Sequence, residues 1–403
     1  MVKIITAKEK INEVLTRGVE KIYPDRGSLE KVLASGKRLR IYCGFDPTAK
    51  SLHIGNAIAI NKLSQLQSLG HEIIFLIGDF TATIGDPTDK LAARKKLSRA
   101  EVLANAKNYK KQASAYLKFI GDNQAKQMYN SKWHDKLTFR DLIEVASNFT
   151  VGQLIVRDMF QERMKQDKPI FLHEFLYPLA QGYDSVAMDV DMEVGGNDQT
   201  FNMLCGRDLL KATKGKEKFV LTMKLLADDA GKKMGKTEGN VVNLDETPEN
   251  MYGQVMSWPD GAIVIGMELC TKLPMAEIES AKVSMTGGAN PRDLKMKLAY
   301  AITELVWGEK KAKAAQDYFV RTVQKKEVPT DVKSLKLGVK KLNIIDLLVE
   351  TKLAVSKGEA RRLIEQGGVK IDGEIVRDIK KEVDLSKEIL VQRGKLQFIK
   401  VVQ

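Results

Sequence analysis

Cysteine, histidine and long apolar runs are all scarce in this 403-residue sequence, and each scarcity excludes a class of protein. The three cysteines, Cys43, Cys205 and Cys270, lie far apart and form no CxxC pair, which argues against a disulfide framework or a zinc site. The four histidines are scattered, so no His-rich metal site is expected. No apolar run approaches the roughly 20 residues that a membrane span needs, and residues 1–18 lack the apolar stretch of a secretory signal. We therefore expect a cytoplasmic protein with no membrane partner and no bound metal of its own.

Positive charge, in contrast, is plentiful and unevenly distributed. The formal net charge is +13, which favours an acidic partner such as nucleic acid. Residues 321–403 alone carry 19 Lys and Arg against 12 Asp and Glu, a net charge of +7. A solvated basic tail that aids solubility would explain the same distribution.

Residues 39–80 carry the pattern of a strand–helix–strand unit. "LRIYCGF" (39–45) and "EIIFLIGDF" (72–80) each predict a short buried strand. Between them, apolar residues recur on one face over 53–69, which predicts a helix, and Gly70 follows as a common helix-stop residue. Such units build parallel sheets with right-handed crossovers. The predicted fold class is therefore α/β, with a Rossmann-like parallel sheet.

The chain is too long for one compact core, so two or three domains are expected. The sequence predicts, in chain order, an α/β domain over 1–225 with a helical insertion at about 120–175, a loop and helical domain over 226–325, a linker over 326–341, and a small α+β domain over 342–403.

Several local predictions follow from the same patterns. Helices are predicted over 98–119 and 138–167, and a strand, a turn and a helix over 184–204. The aliphatic side chains of 138–167 would be exposed unless the core or a second subunit packs on them, and both alternatives stay open. Near the C-terminus, Asp372-Gly373 predicts a hairpin turn.

The stretch "YCGFDPTAKSLHIGN" (42–56) leads from the first strand into the start of a helix. Unpaired N–H groups and the positive end of the helix dipole make such a start a ready anion site. His53 can donate to a phosphate oxygen, Gly55 lets a flat group approach the backbone, and Asn56 adds a second donor. The same residues would also suit an ordinary helix start on the surface.

A second candidate segment, "GKKMGKTEGN" (231–240), contains three lysines and three glycines in ten residues. Such a loop can close over a triphosphate and neutralise the charge of a departing leaving group. An exposed basic loop is the alternative.

A third segment, "YPLAQGYD" (177–184), spaces Tyr177, Gln181 and Asp184 so that they share one face of a continuous helix, although Pro178 would kink or start that helix. The flanking residues are apolar, so this face is expected to be buried, and buried polar groups need partners. A ligand with an ammonium group and a phenol would supply them. A solvated polar stripe is the alternative.

In combination, these segments resemble known signature motifs. HIGN and KMGKT resemble the HIGH and KMSKS motifs of class I aminoacyl-tRNA synthetases, and "YCGFDPTAKSLHIG", "IGDPT", "YPLAQGYD" and "GGNDQ" resemble pocket motifs of the bacterial tyrosyl-tRNA synthetases. The resemblance runs from about residue 35 to the end. The departures are Asn56 for the second histidine, Gly235 and Thr237 for the two serines, and Glu193 where many relatives have glutamine.

The resemblance implies a set of site residues for an enzyme that activates tyrosine with ATP and Mg²⁺ and charges tRNA(Tyr). The residues implied to bind tyrosine are Tyr42, Asp86, Tyr177, Gln181, Asp184 and Gln199. Those implied to bind ATP are Asp46, Gly55, Gly195, Asp198 and Lys236. Those implied to act in catalysis are Thr48, His53, Asn56, Lys90, Arg94, Lys233, Lys236 and Thr237.

Residues 342–403 resemble an S4-type RNA-binding domain, which implies that Lys357, Arg361 and Arg362 contact the tRNA backbone. A purely structural appendage is the alternative for this domain. The resemblance further implies a homodimer formed through the 120–175 insertion. Two rival functions stay open, a sibling ligase for tryptophan and an RNA-binding protein that has lost catalysis.

Overall fold

The computed structural model describes residues 2–88, 96–227, 241–324, 332, 334–394 and 397–402. Contacts within the chain divide it into two compact units. They are Met1–Glu246 with Trp258–Val306, and Thr247–Ser257 with Trp307–Gln403. The boundary between the units falls inside the stretch that the sequence predicts as one helical domain.

The first unit is built on a mainly parallel sheet. Its strands are β1 Val19–Tyr23, β2 Arg40–Phe45, β3 Glu72–Ile77, β4 Lys126–Tyr129, β5 Met192–Gly196 and β6 Phe219–Met223. In the described residues they follow the order β1-β6-β5-β2-β3-β4, with β1 antiparallel and the rest parallel. The predicted α/β fold is therefore confirmed. The strand order reverses between β2 and β5, which is where sheets of this kind bind ligands.

Helices cover this sheet and continue through the rest of the chain. The first twelve are α1 Lys8–Thr16, α2 Arg26–Ala34, α3 Ile54–Ser68, α4 Thr81–Ile84, α5 Arg99–Ala106, α6 Tyr109–Ala113, α7 Ser131–His134, α8 Phe139–Ala146, α9 Val151–Ile155, α10 Asp158–Lys165, α11 Leu172–Met188 and α12 Thr200–Lys214. The others are α13 Pro248–Met256, α14 Ile263–Cys270, α15 Met275–Thr286, α16 Pro291–Trp307, α17 Glu309–Phe319, α18 Ile344–Glu350 and α19 Lys357–Glu365. The helix predicted over 53–69 is α3, and the strands on either side of it are β2 and β3.

Two long predicted helices are divided in the structure. The stretch 98–119 contains α5 and α6, and the stretch 138–167 contains α8, α9 and α10. Thr150 explains one of the breaks, because its hydroxyl accepts the N–H of Gln153 while the Gln153 side chain accepts the N–H of Thr150. This reciprocal cap starts a new helix inside a continuous apolar pattern.

The strand predicted to begin at residue 184 is also wrong in its start. Residues up to Met188 belong to α11, and Asp189 ends the helix with a left-handed backbone, φ 49°. The strand begins only at Met192. The apolar run before it belongs to a buried helix, which sequence pattern does not distinguish from a strand over so few residues.

The C-terminal part of the second unit forms a small α+β fold. Its strands are β7 Ser334–Lys336, β8 Lys341–Asn343, β9 Val369–Ile371, β10 Glu374–Ile375, β11 Glu382–Asp384, β12 Ile389–Arg393 and β13 Gln397–Val402. The predicted turn at Asp372-Gly373 joins β9 to β10, and both residues have positive φ, as a type I′ hairpin requires. Strand β7 pairs with β13, so described residues of the predicted linker are part of a sheet.

Spanning a membrane would require a long apolar helix, and the part of the chain that the structure describes contains none. Nor do the described residues include a cluster of three or more His, Cys, Asp or Glu side chains that could hold a metal ion.

Candidate functional site

A cavity of about 640 Å³ opens where the sheet order reverses, at the carboxyl ends of β2 and β5. Its lining includes the following residues that the sequence singled out: Tyr42, Asp46, Thr48, His53, Gly55, Asn56, Asp86, Tyr177, Gln181, Asp184, Gly195, Asp198 and Gln199. The fold thus brings together side chains that are spread over almost 160 positions of sequence. Five other predicted residues, Lys90, Arg94, Lys233, Lys236 and Thr237, lie outside the described residues.

The start of α3 forms one wall of this cavity. His53 is the residue that caps the helix: its Nδ1 accepts the N–H of Asn56 at 3.3 Å, and Asn56 Oδ1 accepts the N–H of His53 at 3.0 Å. A neutral ring that accepts at Nδ1 carries its hydrogen on Nε2. A Cβ at Gly55 would lie 3.0 Å from the His53 ring, so this glycine makes room for the ring.

The segment that follows residues 228–240 lies against this same helix start. The N–H of Ile54 donates to the carbonyl of Val242 at 2.9 Å, and the N–H of Leu244 donates to the carbonyl of Leu52 at 2.8 Å. His53 and Asn243 form the antiparallel bridge between them. The HIGN motif and the flank of the KMGKT segment are therefore joined through the backbone, which sequence spacing alone does not reveal.

Asp46 directly follows β2 and is part of the cavity lining. Its carboxylate accepts hydrogen bonds from the hydroxyl of Thr81 at 2.7 Å and from that of Tyr177 at 2.9 Å. Burial raises the pKa of Asp46 to about 7, and the charges of Asp86 and Asp184 act in the same direction. A Cβ at Gly78 would come within 2.0 Å of Asp46 Oδ1, so this position requires glycine.

Asp184 is part of the cavity lining and is buried. Asn130 Nδ2 donates to it at 3.2 Å, Trp133 Nε1 donates at 2.8 Å, and His134 Nε2 lies 2.8 Å from Oδ1. Burial raises the pKa of Asp184, although these three hydrogen bonds act in the opposite direction. Tyr42, also buried, has its hydroxyl 2.9 Å from that of Ser185.

Asn130, Trp133 and His134, the three partners of Asp184, were not predicted from the sequence. One sign was present, since Asn130 directly follows β4 and so stands at the carboxyl edge of the parallel sheet. Their burial against Asp184 depends on tertiary packing.

A second polar group of the cavity surrounds Asp86. Asp86 accepts from the N–H and hydroxyl of Thr88 at 3.0 and 2.6 Å, and from Gln199 Nε2 at 2.9 Å. Gln181 Nε2 donates to Glu193 Oε1 at 3.0 Å. Helix α11 is continuous through Pro178, so the predicted common face of Tyr177, Gln181 and Asp184 exists and lines the cavity.

The predicted RNA-binding residues lie on α19 of the second unit. Arg361 and Arg362 are exposed. Lys357 is also exposed, and its Nζ forms an ion pair with Asp346 Oδ1 at 2.7 Å. Part of the charge predicted to face RNA is therefore shared with an acidic neighbour.

Two family models match successive stretches of the chain. Residues 34–324 match the family model of class I tRNA synthetases (W and Y), and residues 324–401 match that of the C-terminal domain of SYY-like tyrosine–tRNA ligases.

Full-length relatives and solved structures agree with these matches. The tyrosine–tRNA ligase of Thermotoga maritima is 42% identical over 98% of both chains, and that of Haemophilus ducreyi is 41% identical over 98% of both chains. The fold is similar to that of the mitochondrial tyrosyl-tRNA synthetase of Aspergillus nidulans (TM-score 0.65, 24% identity, 76% of this chain and 92% of that one). It is also similar to the tyrosyl-tRNA synthetase of Archaeoglobus fulgidus, which was solved with L-tyrosine (TM-score 0.59, 21% identity, 76% and 99%).

Proposed function

Because the chain belongs to the family of class I tRNA synthetases for tryptophan and tyrosine, we propose that it activates tyrosine with ATP and transfers the tyrosyl group to tRNA(Tyr). The observation that carries the choice of tyrosine is the buried carboxylate of Asp184, held by three neighbours beside Tyr42 in the cavity lining. A phenol hydroxyl placed there donates to Asp184 and accepts from Tyr42.

The α-ammonium group of tyrosine needs hydrogen-bond acceptors, and the polar group around Asp86 provides them. Asp86, Tyr177 and Gln181 bind the α-ammonium group, since each offers an oxygen to a group that can only donate. Gln199 orients Asp86 through the hydrogen bond from its side-chain amide.

ATP occupies the wall formed by the start of α3. Thr48, His53 and Asn56 contact its phosphates, and Gly55 lets the base approach. Asp46, Gly195 and Asp198 bind the nucleoside. Mg²⁺ enters as part of the MgATP substrate. Lys90, Arg94, Lys233, Lys236 and Thr237 supply further charge and hydrogen bonds to the triphosphate.

The chemistry needs positioning more than reactive side chains. A carboxylate oxygen of tyrosine attacks the α-phosphorus of ATP, and the bond to pyrophosphate breaks to give tyrosyl-adenylate. A hydroxyl of the terminal ribose of the tRNA then attacks the tyrosyl carbonyl, and AMP leaves. Since the first nucleophile is already charged, no protein base is required for that step.

The protein works as a homodimer in the cytoplasm, with its C-terminal domain on the tRNA. Support for the dimer comes from exposed apolar side chains in or beside the predicted insertion, namely Phe139, Ile143, Val151, Val156, Met164, Phe171 and Leu172. Monomers rarely expose so many without a partner. Arg361 and Arg362 offer two exposed charges for the tRNA backbone.

Exchange of pyrophosphate into ATP, measured without tRNA, tests the function and separates the rivals. We expect efficient exchange with tyrosine and at most trace exchange with tryptophan or phenylalanine. Exchange with tryptophan alone would favour the sibling ligase. No exchange with any of the three would indicate an RNA-binding protein without catalysis. The relatives named above favour the tyrosine enzyme over both.

The pKa of Asp46 predicts that tyrosine binding releases a proton. With a pKa of about 7, Asp46 is largely protonated below that pH in the free enzyme. The ammonium group of bound tyrosine favours the ionised carboxylate, so the complex binds fewer protons than the free enzyme. Tyrosine affinity should therefore rise with pH up to about 7, by at most about tenfold per unit, and level off above.

Calorimetry at pH 6.5 in two buffers of different protonation enthalpy measures this proton directly. A net release of protons is expected from the wild type at that pH. The Asp46→Asn variant should release none. Equal heats in both buffers for the wild type would contradict the prediction.

A further inference from the structure

A buried ion pair joins a residue of the cavity lining, Glu193, to a residue outside that lining, Lys218. Lys218, which precedes β6, is fully buried, and its Nζ contacts Oε2 of the buried Glu193 on β5. Removing two charges from water is costly, and an apolar pair of similar volume often serves stability equally well or better. The pair therefore invites a role beyond stability.

Glu193 determines which way the Gln181 amide faces. An ionised carboxylate only accepts hydrogen bonds, and Glu193 Oε1 accepts from Gln181 Nε2 at 3.0 Å. The amide nitrogen is therefore held toward Glu193, and the amide oxygen is left for the cavity. An ammonium group requires an oxygen there, because it can only donate. If the Gln181 amide were flipped, its NH₂ group would face the ammonium group, and two donors cannot form a hydrogen bond.

Lys218 determines the direction of a second chain of hydrogen bonds. Burial lowers the pKa of Lys218, and the charge of Glu193 opposes that shift and favours the ammonium form. In this form the group only donates, and Lys218 Nζ donates to Ser185 Oγ at 2.8 Å. In the described part of the chain, the remaining side-chain partner of Ser185 is Tyr42, 2.9 Å away. Ser185 therefore gives its hydrogen to the oxygen of Tyr42, and Tyr42 keeps its own hydrogen for another acceptor. Burial raises the pKa of Tyr42 well above its usual value, and the charges of Glu193 and Asp184 and a hydrogen bond with Glu193 act in the same direction. Tyr42 therefore retains that hydrogen, and a phenol oxygen competes with Glu193 for it.

The space for the lysine is built into the helix packing. A Cβ at Gly206 on α12 would lie 2.7 Å from both Lys218 Nζ and Ser185 Oγ. A Cβ at Gly182 on α11 would lie 3.3 Å from the backbone of Gly206. Two glycines thus let α11 and α12 approach each other while leaving a channel for the ammonium group.

We propose that Lys218 and Glu193 are positioning residues. They determine which cavity side chain donates and which accepts in the hydrogen bonds to the phenol hydroxyl and to the ammonium group of tyrosine. Lys218 acts through Ser185 to make Tyr42 the donor to the phenol oxygen, which leaves the phenol hydrogen for Asp184. Glu193 acts through Gln181 to present an oxygen to the ammonium group. The inference rests on the proposed function, since it requires tyrosine in this cavity.

Two substitutions that replace a charged side chain with uncharged glutamine test recognition of the phenol end and of the ammonium end of tyrosine separately. In Lys218→Gln the amide can donate to Ser185 or accept from it, so the donor direction of Tyr42 is no longer imposed. We expect the ratio of kcat/KM for tyrosine over phenylalanine, from pyrophosphate exchange, to fall at least about tenfold. In Glu193→Gln the Gln181 amide is free to flip, so KM should rise for both amino acids and their ratio should change little. KM for ATP and kcat should stay near wild-type values in both variants.

The double variant Glu193→Gln/Lys218→Gln leaves no unpaired buried charge, and it should show both losses even if a single variant folds poorly.

Lys62→Gln is the matched control. Lys62 is an equally buried lysine, but it donates to the carbonyls of Val14 and Arg17 outside the cavity lining. It should lose stability without changing the tyrosine to phenylalanine ratio.

The outcomes distinguish the inference from its premise. Wild-type ratios in Lys218→Gln and double-variant enzymes that still exchange tyrosine would overturn the inference alone. A uniform loss for all substrates that follows thermal stability, as in the Lys62 control, would reduce the pair to a structural role and also overturn it. Absence of tyrosine exchange in the wild type would overturn the proposed function and the inference with it.

Discussion

Replacing Asp184 with asparagine should reduce the preference for tyrosine over phenylalanine by at least about 100-fold. Asp184 accepts from three neighbours and still has to accept the phenol hydrogen. An asparagine brings two hydrogens of its own into this cluster of donors, so at least one buried hydrogen-bonding group is left unpaired. Rejection of phenylalanine by about 10⁴–10⁵ is a magnitude measured on tyrosine-specific members of this family, so a large loss remains measurable.

The ratio of kcat/KM for the two amino acids in pyrophosphate exchange is the quantity to measure. Asp189→Asn is a matched control, because Asp189 ends the same helix and asparagine tolerates its left-handed backbone. We expect the control to keep the wild-type ratio. An Asp184→Asn enzyme with the same ratio as the wild type would exclude Asp184 as the group that recognises the hydroxyl.

Introducing aspartate at Phe139 and Leu172 together should convert the proposed dimer into monomers. Both side chains are more than three-quarters exposed in the single chain, 78% and 76%. Leu172 follows a turn that is held by the buried ion pair between Arg163 and Glu174, 2.7 Å apart. In a two-fold symmetric dimer each substitution occurs twice, so four charges would have to leave water. The dimer dissociation constant should rise by at least about 1,000-fold.

Sedimentation equilibrium over a range of protein concentrations measures this constant. Val283→Asp on α15 is the control, because Val283 is 62% exposed but lies outside the predicted insertion. It should remain dimeric. A wild type that is monomeric at all concentrations, or a double variant as dimeric as the wild type, would contradict the proposed interface.

The parts of the fold that sequence predicts are those with strong local patterns. β2, α3 and β3 follow from apolar runs, helical periodicity and the glycine that ends the helix. The division of 138–167 into three helices was missed because the apolar periodicity continues across the caps. The reciprocal cap of Thr150 and Gln153 was the sequence feature that could have revealed the break before α9, whereas α10 begins without a side-chain cap.

In the candidate site, too, sequence predicts the residues that share one element but not those that meet through the tertiary fold. Tyr177, Gln181 and Asp184 were predictable because one helix carries all three at a regular spacing. Lys218 was not, because in sequence it is one lysine among several before a strand. It meets Glu193 only because β5 and β6 are neighbours in the sheet, paired as Glu193↔Val220. Which buried charges meet is decided by strand order, which local sequence does not encode.

The backbone bridge between 52–54 and 242–244 has a consequence for protein engineering. A chimaera that exchanges only residues 228–240 for those of a relative would keep the host's Val242 and Asn243 against the host's Ile54 and His53. One that exchanges residues 228–246 would bring a foreign partner to the start of α3. Residues 52–54 and 242–244 therefore form one paired unit, and a graft should carry residues 52–56 together with 228–244.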